Sequence, residues 1–426
     1  MNMKYFYNLL LLFFSLSCFY ACSDDTDDFT SNPEKGPNQA NIRRTVLLYC
    51  VAQNDMGLQS GNRSSAWRND SAECALGAKY LDEADRCLIY VDDKKLPRLY
   101  ELSATEDTKL VYQWGQDYYS THPDQMYEVL NYVINNYESE EYGFVAWSHS
   151  DGWIPASNPA MTPFSFGIDV GSKGNMGANK DEKGKLGKQM NIADMAKAFE
   201  RTNVKFKFIL FDTCLMQCIE TLYELRNAAE YIIGAPIQIP YDGAYYTHQM
   251  QHGLFETDVT EIAKTYFQDV TTMTSTYTDF GLSISVVNTS KLDSLAAITK
   301  EVLANVDWDN NYPDMNGVTQ YYYYSSMYFY RPHYFDFKHA MHTMLNAADF
   351  NRFNQALQET IAYYNATPQV WVGPGYYDFT TVDNDSSCGI SMFVPQKVYD
   401  INAGVCNVGN HNENFKSTAW AKAIGK

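Results

Sequence analysis

Apolar positions in this chain gather into short unbroken runs, most of them closed by a polar residue and followed by an amphipathic stretch. Thr45–Val51, Cys87–Val91, Phe144–Trp147, Phe208–Phe211 (in a strand expected over Phe206–Phe211) and Tyr231–Gly234 are such runs. Runs of this length that do not alternate predict strands covered on both faces, as in a parallel sheet. Leu282–Val287 alternates and predicts a further strand; Leu110–Trp114 predicts an edge strand of a hairpin. Elsewhere the period lengthens to that of a helix. Met126, Val129, Leu130, Val133, Ile134 and Tyr137 share one helical face, and Ile192–Thr202, Val259–Val270 and Leu292–Val306 predict further helices. Leu215, Ile219, Leu222 and Leu225 predict a helix that starts just after the run ending at Phe211. Strand, helix, strand is the order of βαβ units, so the expectation for residues 45–307 is an α/β domain on a mainly parallel sheet.

From about residue 308 the pattern changes. Asn310–Met315 is rich in turn formers, and Tyr321–Tyr324 with Tyr328–Tyr330 form an aromatic cluster. Helices over Phe337–Asn346 and Phe350–Tyr364 precede a strand over Cys388–Val394. This predicts an accessory C-terminal α/β part, 308–426, packed on the first domain; 426 residues exceed one ordinary core. Residues 157–191 have little apolar content, and Gly171–Lys188 holds five Gly and five Lys. That composition predicts a mobile loop that buries no core.

The N-terminus carries Lys4, an apolar run over Leu9–Phe14 and then small residues up to Cys22. It predicts a secretory signal over 1–22, too short to anchor by spanning, and a polar, flexible tether over 23–44. Phe19–Cys22 resembles the cleavage box of bacterial lipoproteins, with Cys18 the alternative site. The acidic run Ser23–Asp28 resembles the surface-export signal of Bacteroides-type lipoproteins; a solvated spacer is the plain alternative. The expectation is lipidation at Cys22, an exported lipoprotein of the outer membrane, and display on the cell surface through a multi-chain lipid anchor.

Lys and Arg number 32 against 51 Asp and Glu, a net charge of −19. That argues against nucleic acid or an anionic membrane surface as the main partner and suits basic peptides. The 34 Tyr and 23 Phe fit a large aromatic core. Beyond the leader the cysteines are Cys50, Cys74, Cys87, Cys214, Cys218, Cys388 and Cys406, an odd set without metal-site spacing. No disulfide framework is indicated, and at least one thiol is left free.

Two strand ends carry reactive residues. The run before Cys214 stops at Asp212, and the run over Tyr142–Trp147 leads to His149 and turns at Gly152. Ligand clefts of α/β sheets lie at the carboxyl ends of strands. A helix starting after Cys214 would favour its thiolate. Alone, a buried Cys packs as inert core; with a histidine at a second strand end it is a candidate nucleophile with its general acid/base. Cys218, one turn further on, reads as core. His248 and His252 lack the glutamate of a zinc-protease motif, and His339 and His342 lack a third ligand.

Trp147–Trp153 (W-S-H-S-D-G-W) and Asp212–Met216 (D-T-C-L-M) resemble the clostripain family of cysteine peptidases, in the caspase-like clan. That family has W-[SN]-H-G-x-G-W on one strand end and D-A-C-L-M on another. Thr45–Asp55, Ile232–Gly243 and Gly389–Pro395 resemble further family segments, so the likeness covers most of the chain from Thr45 onward. The resemblance implies a caspase-like αβα sandwich with a mainly parallel central sheet. It also implies a cysteine endopeptidase with nucleophile Cys214, general acid/base His149, and an oxyanion site at the N–H groups of Ser150 and Cys214. It implies an S1 pocket that selects Arg or Lys through Asp212, with Asp242 a second acidic candidate; capping of the following helix is the alternative for Asp212.

The family usually has Gly where Ser150 stands. If that position needs positive φ, Ser is strained there; if the backbone is extended, Ser fits without cost. Members often cut themselves after a basic residue, which makes Lys173, Lys180, Lys183, Lys185 and Lys188 candidate processing sites; an uncut exposed loop is the alternative. No cofactor is required, calcium is left open, and no metal site is placed. Competing readings are a catalytically inactive lipoprotein that binds peptide or glycan through the tyrosine cluster, and a glycoside hydrolase, for which no carboxylate pair falls on adjacent strand ends.

Overall fold

The computed structural model describes residues 41–59, 65–155, 165–272, 280–308, 311–326, 329–372, 378–400 and 411–426. The leader with Cys22, nearly all of the tether, and Cys406 lie outside the described residues. In chain order the strands are β1 (Arg44–Val51), β2 (Asp85–Asp92), β3 (Arg98–Leu102), β4 (Lys109–Gln113), β5 (Glu141–Trp147), β6 (Phe166–Asp169), β7 (Lys188–Met190), β8 (Phe206–Asp212), β9 (Ala229–Gly234), β10 (Ser283–Asn288), β11 (Gln320–Ser326), β12 (Phe329–Asp336), β13 (Ile361–Ala366), β14 (Gln369–Trp371), β15 (Phe379–Thr381) and β16 (Ser391–Met392). The helices are α1 (Ala66–Gly77), α2 (Pro123–Asn136), α3 (Ile192–Glu200), α4 (Ile219–Glu224), α5 (Tyr246–His252), α6 (Thr260–Thr272), α7 (Leu292–Val302), α8 (Phe337–Met344), α9 (Ala347–Thr360), α10 (His411–Ser417) and α11 (Ala419–Ile424).

Nine strands make one sheet in the order β13-β10-β9-β8-β5-β1-β2-β3-β4. Its middle, β9-β8-β5-β1-β2, is parallel, and both flanks are antiparallel. Every residue of β1 is buried, and so is all of β8 except Lys207. This is why those strands read as unbroken apolar runs: helices cover both faces. One helical layer is α1, α5 and α6; the other runs α2, α3, α4, α11, α7, α9. No helix among the described residues is long and apolar enough to cross a membrane.

Several predicted elements end differently. The helix expected over Phe350–Tyr364 stops at Thr360, and Ile361–Ala366 becomes β13, hydrogen-bonded to β10 at the edge of the central sheet. The region beyond 308 therefore completes the central sheet as well as packing on it. Of Cys388–Val394 only Ser391 and Met392 are strand, paired with β12. The loop expected to be mobile is folded over residues 165–190. Phe166, Val170, Met176 and Met190 are buried, and turns at Asn175–Lys180 and Asp181–Lys185 close on backbone hydrogen bonds. Four apolar side chains suffice there because the turns satisfy their own backbone.

Glu220, in α4, is 2% exposed, and its Oε1 accepts the Phe393 N–H at 2.9 Å. Burial pushes its carboxyl up to about 8. A raised folded-state value means that the protonated form belongs to the fold. Stability is full below the unfolded value near 4.5 and is lost as pH rises towards 8, at up to about 1.4 kcal/mol per pH unit. Glu220→Gln is expected to match the parent Tm at pH 5 and exceed it at pH 8. Parallel Tm curves for the two proteins between pH 5 and 8 would contradict this.

Candidate active site

The parallel pairing of β5 with β8 sets Trp147 opposite Asp212, and β1 sets Cys50 opposite Trp147. His149 and Cys214 each lie two residues past the Trp147–Asp212 pair, so both leave the sheet on the same rim. They line one cavity of about 400 Å³, together with Trp147, Asp212, Tyr241, Gly243, Phe280 and Trp371.

The histidine side is tied to the exit of β1. Ser148 Oγ donates to the Val51 carbonyl at 2.9 Å. Asn54 Nδ2 reaches the carbonyls of Val51 and Ile168, both at 2.9 Å, and Ser148 Oγ at 3.2 Å. The next residue, Asp55, places Oδ1 2.6 Å from His149 Nε2. Burial works to raise the Asp55 carboxyl, but the hydrogen bond and charge of His149 outweigh it, with help from Asn179 and the Met56 N–H, and hold it below its usual value.

The cysteine side departs from expectation. No helix starts behind Cys214; α4 begins at Ile219, with Cys218 in the cap position. Leu215 instead adopts φ 62°, its N–H bonds the Ile237 carbonyl at 2.9 Å, and the Gln217 N–H bonds Ala235 at 3.2 Å. Residues 215–217 thus pair with the exit loop of β9 rather than with a helical turn. A left-handed leucine costs about 1–3 kcal/mol, held here by complete burial of its side chain. So Cys214 gains nothing from a helix N-terminus, and Asp212 caps no helix. Burial, with the nearby Asp151 and Asp212, pushes the half-buried Cys214 thiol up to about 12. The resting group is a thiol that needs a base.

Ser150 is free of the strain considered for it. Asn179, Asn203 and Leu215 are the described non-glycine residues with positive φ, and Ser150 is not among them. Its Oγ donates to the Cys214 carbonyl at 2.5 Å, joining the two strand ends. Its pairing with Phe166 runs through the His149 carbonyl and the Asp151 N–H, which leaves the Ser150 N–H unused by that bridge.

Asp212 is 2% exposed at the cavity wall. It accepts Tyr246 Oη at 2.7 Å, Tyr266 Oη at 2.9 Å and the Ala244 N–H at 3.1 Å. Burial raises its carboxyl despite those donors. Gly243 is required beside it: φ is 59°, and a Cβ there would lie 2.8 Å from both Asp212 oxygens. Behind Asp212 stand two carboxyls with no role in the sequence reading. Asp70 accepts Trp147 Nε1 at 2.6 Å and is raised by burial, then by Asp212 and Glu73. Glu73 is raised, chiefly by burial, to about 7. Their one signal was two acids three residues apart in α1. Asp242 is half-buried; its neighbours Tyr241 and Gly243 line the cavity and it does not, but its charge reaches Asp70. No Lys or Arg is among the described lining residues.

Lys173, Lys180, Lys183, Lys185 and Lys188 are all exposed. Lys180 is bonded to Asn175 through both backbone groups, whereas Lys183 sits in the turn Asp181–Gly184. Cys218 is fully buried, its thiol on Thr221 Oγ1 at 3.1 Å. His248 pairs with Asp269, and His339 accepts the Thr319 N–H. Tyr321 and Tyr322 are core; the other side chains of the tyrosine cluster lie outside the described residues. Among the described residues no three His, Cys, Asp or Glu converge to hold a metal.

The sequence model of the clostripain family matches residues 58–424. No curated protein sequence matches the chain. Among solved structures, a secreted C11 cysteine protease of Bacteroides thetaiotaomicron in complex with an irreversible peptide inhibitor is similar. Its identity is 24% and its TM-score 0.70, over 90% of this chain and 98% of that one. An inactive zymogen C11 protease of Parabacteroides distasonis is 22% identical with a TM-score of 0.71, over 91% and 99%. A second secreted Bacteroides thetaiotaomicron C11 protease structure is 21% identical with a TM-score of 0.72, over 91% and 100%. At these identities the likeness is one of fold.

Proposed function

The chain belongs to the clostripain family of cysteine peptidases, and we propose that it is an endopeptidase that cuts after arginine or lysine through His149 and Cys214. The observation that carries this is the cavity they share, which has Asp212 in its wall and no cation among its described lining residues. A P1 guanidinium or ammonium would supply the missing positive charge beside a buried carboxyl, where the pairing is strong.

In the proposed reaction the Cys214 sulfur attacks the scissile carbonyl carbon as His149 takes the thiol proton. The N–H groups of Ser150 and Cys214 hold the oxyanion. The C–N bond breaks as His149 passes the proton to the leaving amine. Water, deprotonated by His149, then hydrolyses the thioester and restores the thiol. No step calls for a metal. Asp242 adds negative charge near the pocket from behind.

Two further parts rest on the sequence. Cys22 is read as the lipidated residue that holds the mature chain on the outer membrane, facing outward. The exposed lysines of 173–188 are read as self-processing sites, with Lys183 favoured by its turn and Lys180 disfavoured by its backbone pairing.

Fluorogenic peptides that differ only at P1 test the specificity. Lys or Arg is expected to exceed Ala and Asp by about 100-fold or more in kcat/KM; equal rates would remove the basic-residue reading. Mass spectrometry of the full chain expressed with its leader covers the rest. It should show an acyl mass on Cys22, and a break after one of these lysines that disappears in Cys214→Ala.

A further inference from the structure

The contact between Asp55 and His149 has no place in a two-residue reaction. Asp55 stands at the exit of β1, outside both catalytic strands, and meets His149 Nε2 at 2.6 Å. It is held from two sides. Asn54 Oδ1 accepts the Met56 N–H at 3.0 Å and fixes the turn over Asp55–Gly57. Asn179 Oδ1 accepts the Asp55 N–H at 2.9 Å. Asn179 itself has φ 52°, a conformation that asparagine tolerates better than most residues. It belongs to the lysine-rich loop, whose Met176 is buried, and a Cβ added at Gly57 would lie 2.9 Å from Met176 Cε.

We infer that Asp55 is a positioning residue for His149, itself fixed by Asn179 of the lysine-rich loop. An ionised carboxylate only accepts, so Nε2 must carry the hydrogen and Nδ1 the lone pair. That leaves Nδ1 to take the thiol proton and return it to the leaving amine. The contact also stabilises the imidazolium formed between those two transfers. The need is acute because the Cys214 thiol, pushed up to about 12, yields its proton only to a base of the right tautomer and direction. By the same contacts, the loop that carries the candidate cut sites is part of the support of the catalytic base.

This inference rests on the Cys214–His149 reading, so His149→Ala accompanies its test. Asp55 is about half exposed, so its variants are expected to fold. With a P1-lysine fluorogenic peptide, Asp55→Asn is expected to lower kcat about 100-fold or more and leave KM within about twofold. An amide accepts from Nε2–H through its oxygen or, turned, donates to an Nε2 lone pair through its nitrogen, so it does not fix the tautomer, and it offers no charge to the imidazolium. Asp55→Glu should recover part of that loss, and Asn179→Ala should lower kcat about 3- to 10-fold. Inactive His149→Ala beside fully active Asp55→Asn would overturn the role of Asp55 and spare the dyad. Active His149→Ala would overturn the dyad, and the inference with it. A fall in KM-normalised binding and in Tm together, without a fall in kcat, would reduce Asp55 to a structural residue and overturn the inference.

Discussion

Replacing Cys214 by alanine is expected to reduce hydrolysis of a P1-lysine peptide at least about 10⁴-fold, while Cys218→Ala keeps kcat/KM within about threefold. The two cysteines are four residues apart, and their surroundings separate them. Cys214 lies on the wall of the cavity that His149 also lines, open to a carbonyl carbon. Cys218 is closed off by packing and bonded to Thr221. Both thiols are raised by burial, so low resting thiolate content does not separate them. Access and a cavity shared with His149 do. Iodoacetamide labelling should follow the same order, with Cys214 modified first. Full loss of activity in Cys218→Ala with retention in Cys214→Ala would reverse the assignment.

The second large effect is expected at Asp212. Asp212→Asn should lower kcat/KM for P1 Lys and Arg by about 10²- to 10³-fold, since breaking one partner of a buried charge pair costs about 2–5 kcal/mol. Peptides with P1 Ala or Gln should change by no more than a few fold. Asparagine preserves the shape, and the Tyr246 and Tyr266 hydroxyls can turn to suit an amide, so the pocket should keep its form. Asp212→Ala is a poorer test: it would leave two buried hydroxyls and the Ala244 N–H without their acceptor. An equal loss on every P1 residue would show that Asp212 supports the wall rather than choosing the substrate. The buried Asp70 and half-buried Glu73 bear on the size of the effect. The charge of Asp212 adds to burial in raising both of them, and an arriving cation offsets that charge.

The legible part of the molecule was that in which local pattern and tertiary environment agree. β1, β5 and β8 announced themselves because covered strands need side chains apolar on both faces. His149 and Cys214 stood out because each follows such a strand. The helix behind Cys214 was misplaced for a definite reason. Leu215 has helical spacing with Ile219, but its backbone is turned left-handed by bonds to residues 235–237, which lie beyond the next strand. Ile361–Tyr364 changed from helix to strand because an edge of β10 was open there. Asp55 lay in a stretch already marked as polar, yet nothing in its neighbours along the chain pointed to His149.

Residue order alone determined the layered α/β class, the succession of strands, the two candidate site residues and the acid two positions before the thiol, because each is a short-range pattern of polarity. Only the folded chain decided that Trp147 and Asp212 lie in register. That register brings an imidazole and a sulfur to one rim, gathers Asp70 and Glu73 behind the pocket, and lets Asp55 take hold of the histidine. Strand pairing couples residues separated by tens of positions through main-chain hydrogen bonds, and those bonds are indifferent to the side chains from which a pattern is read.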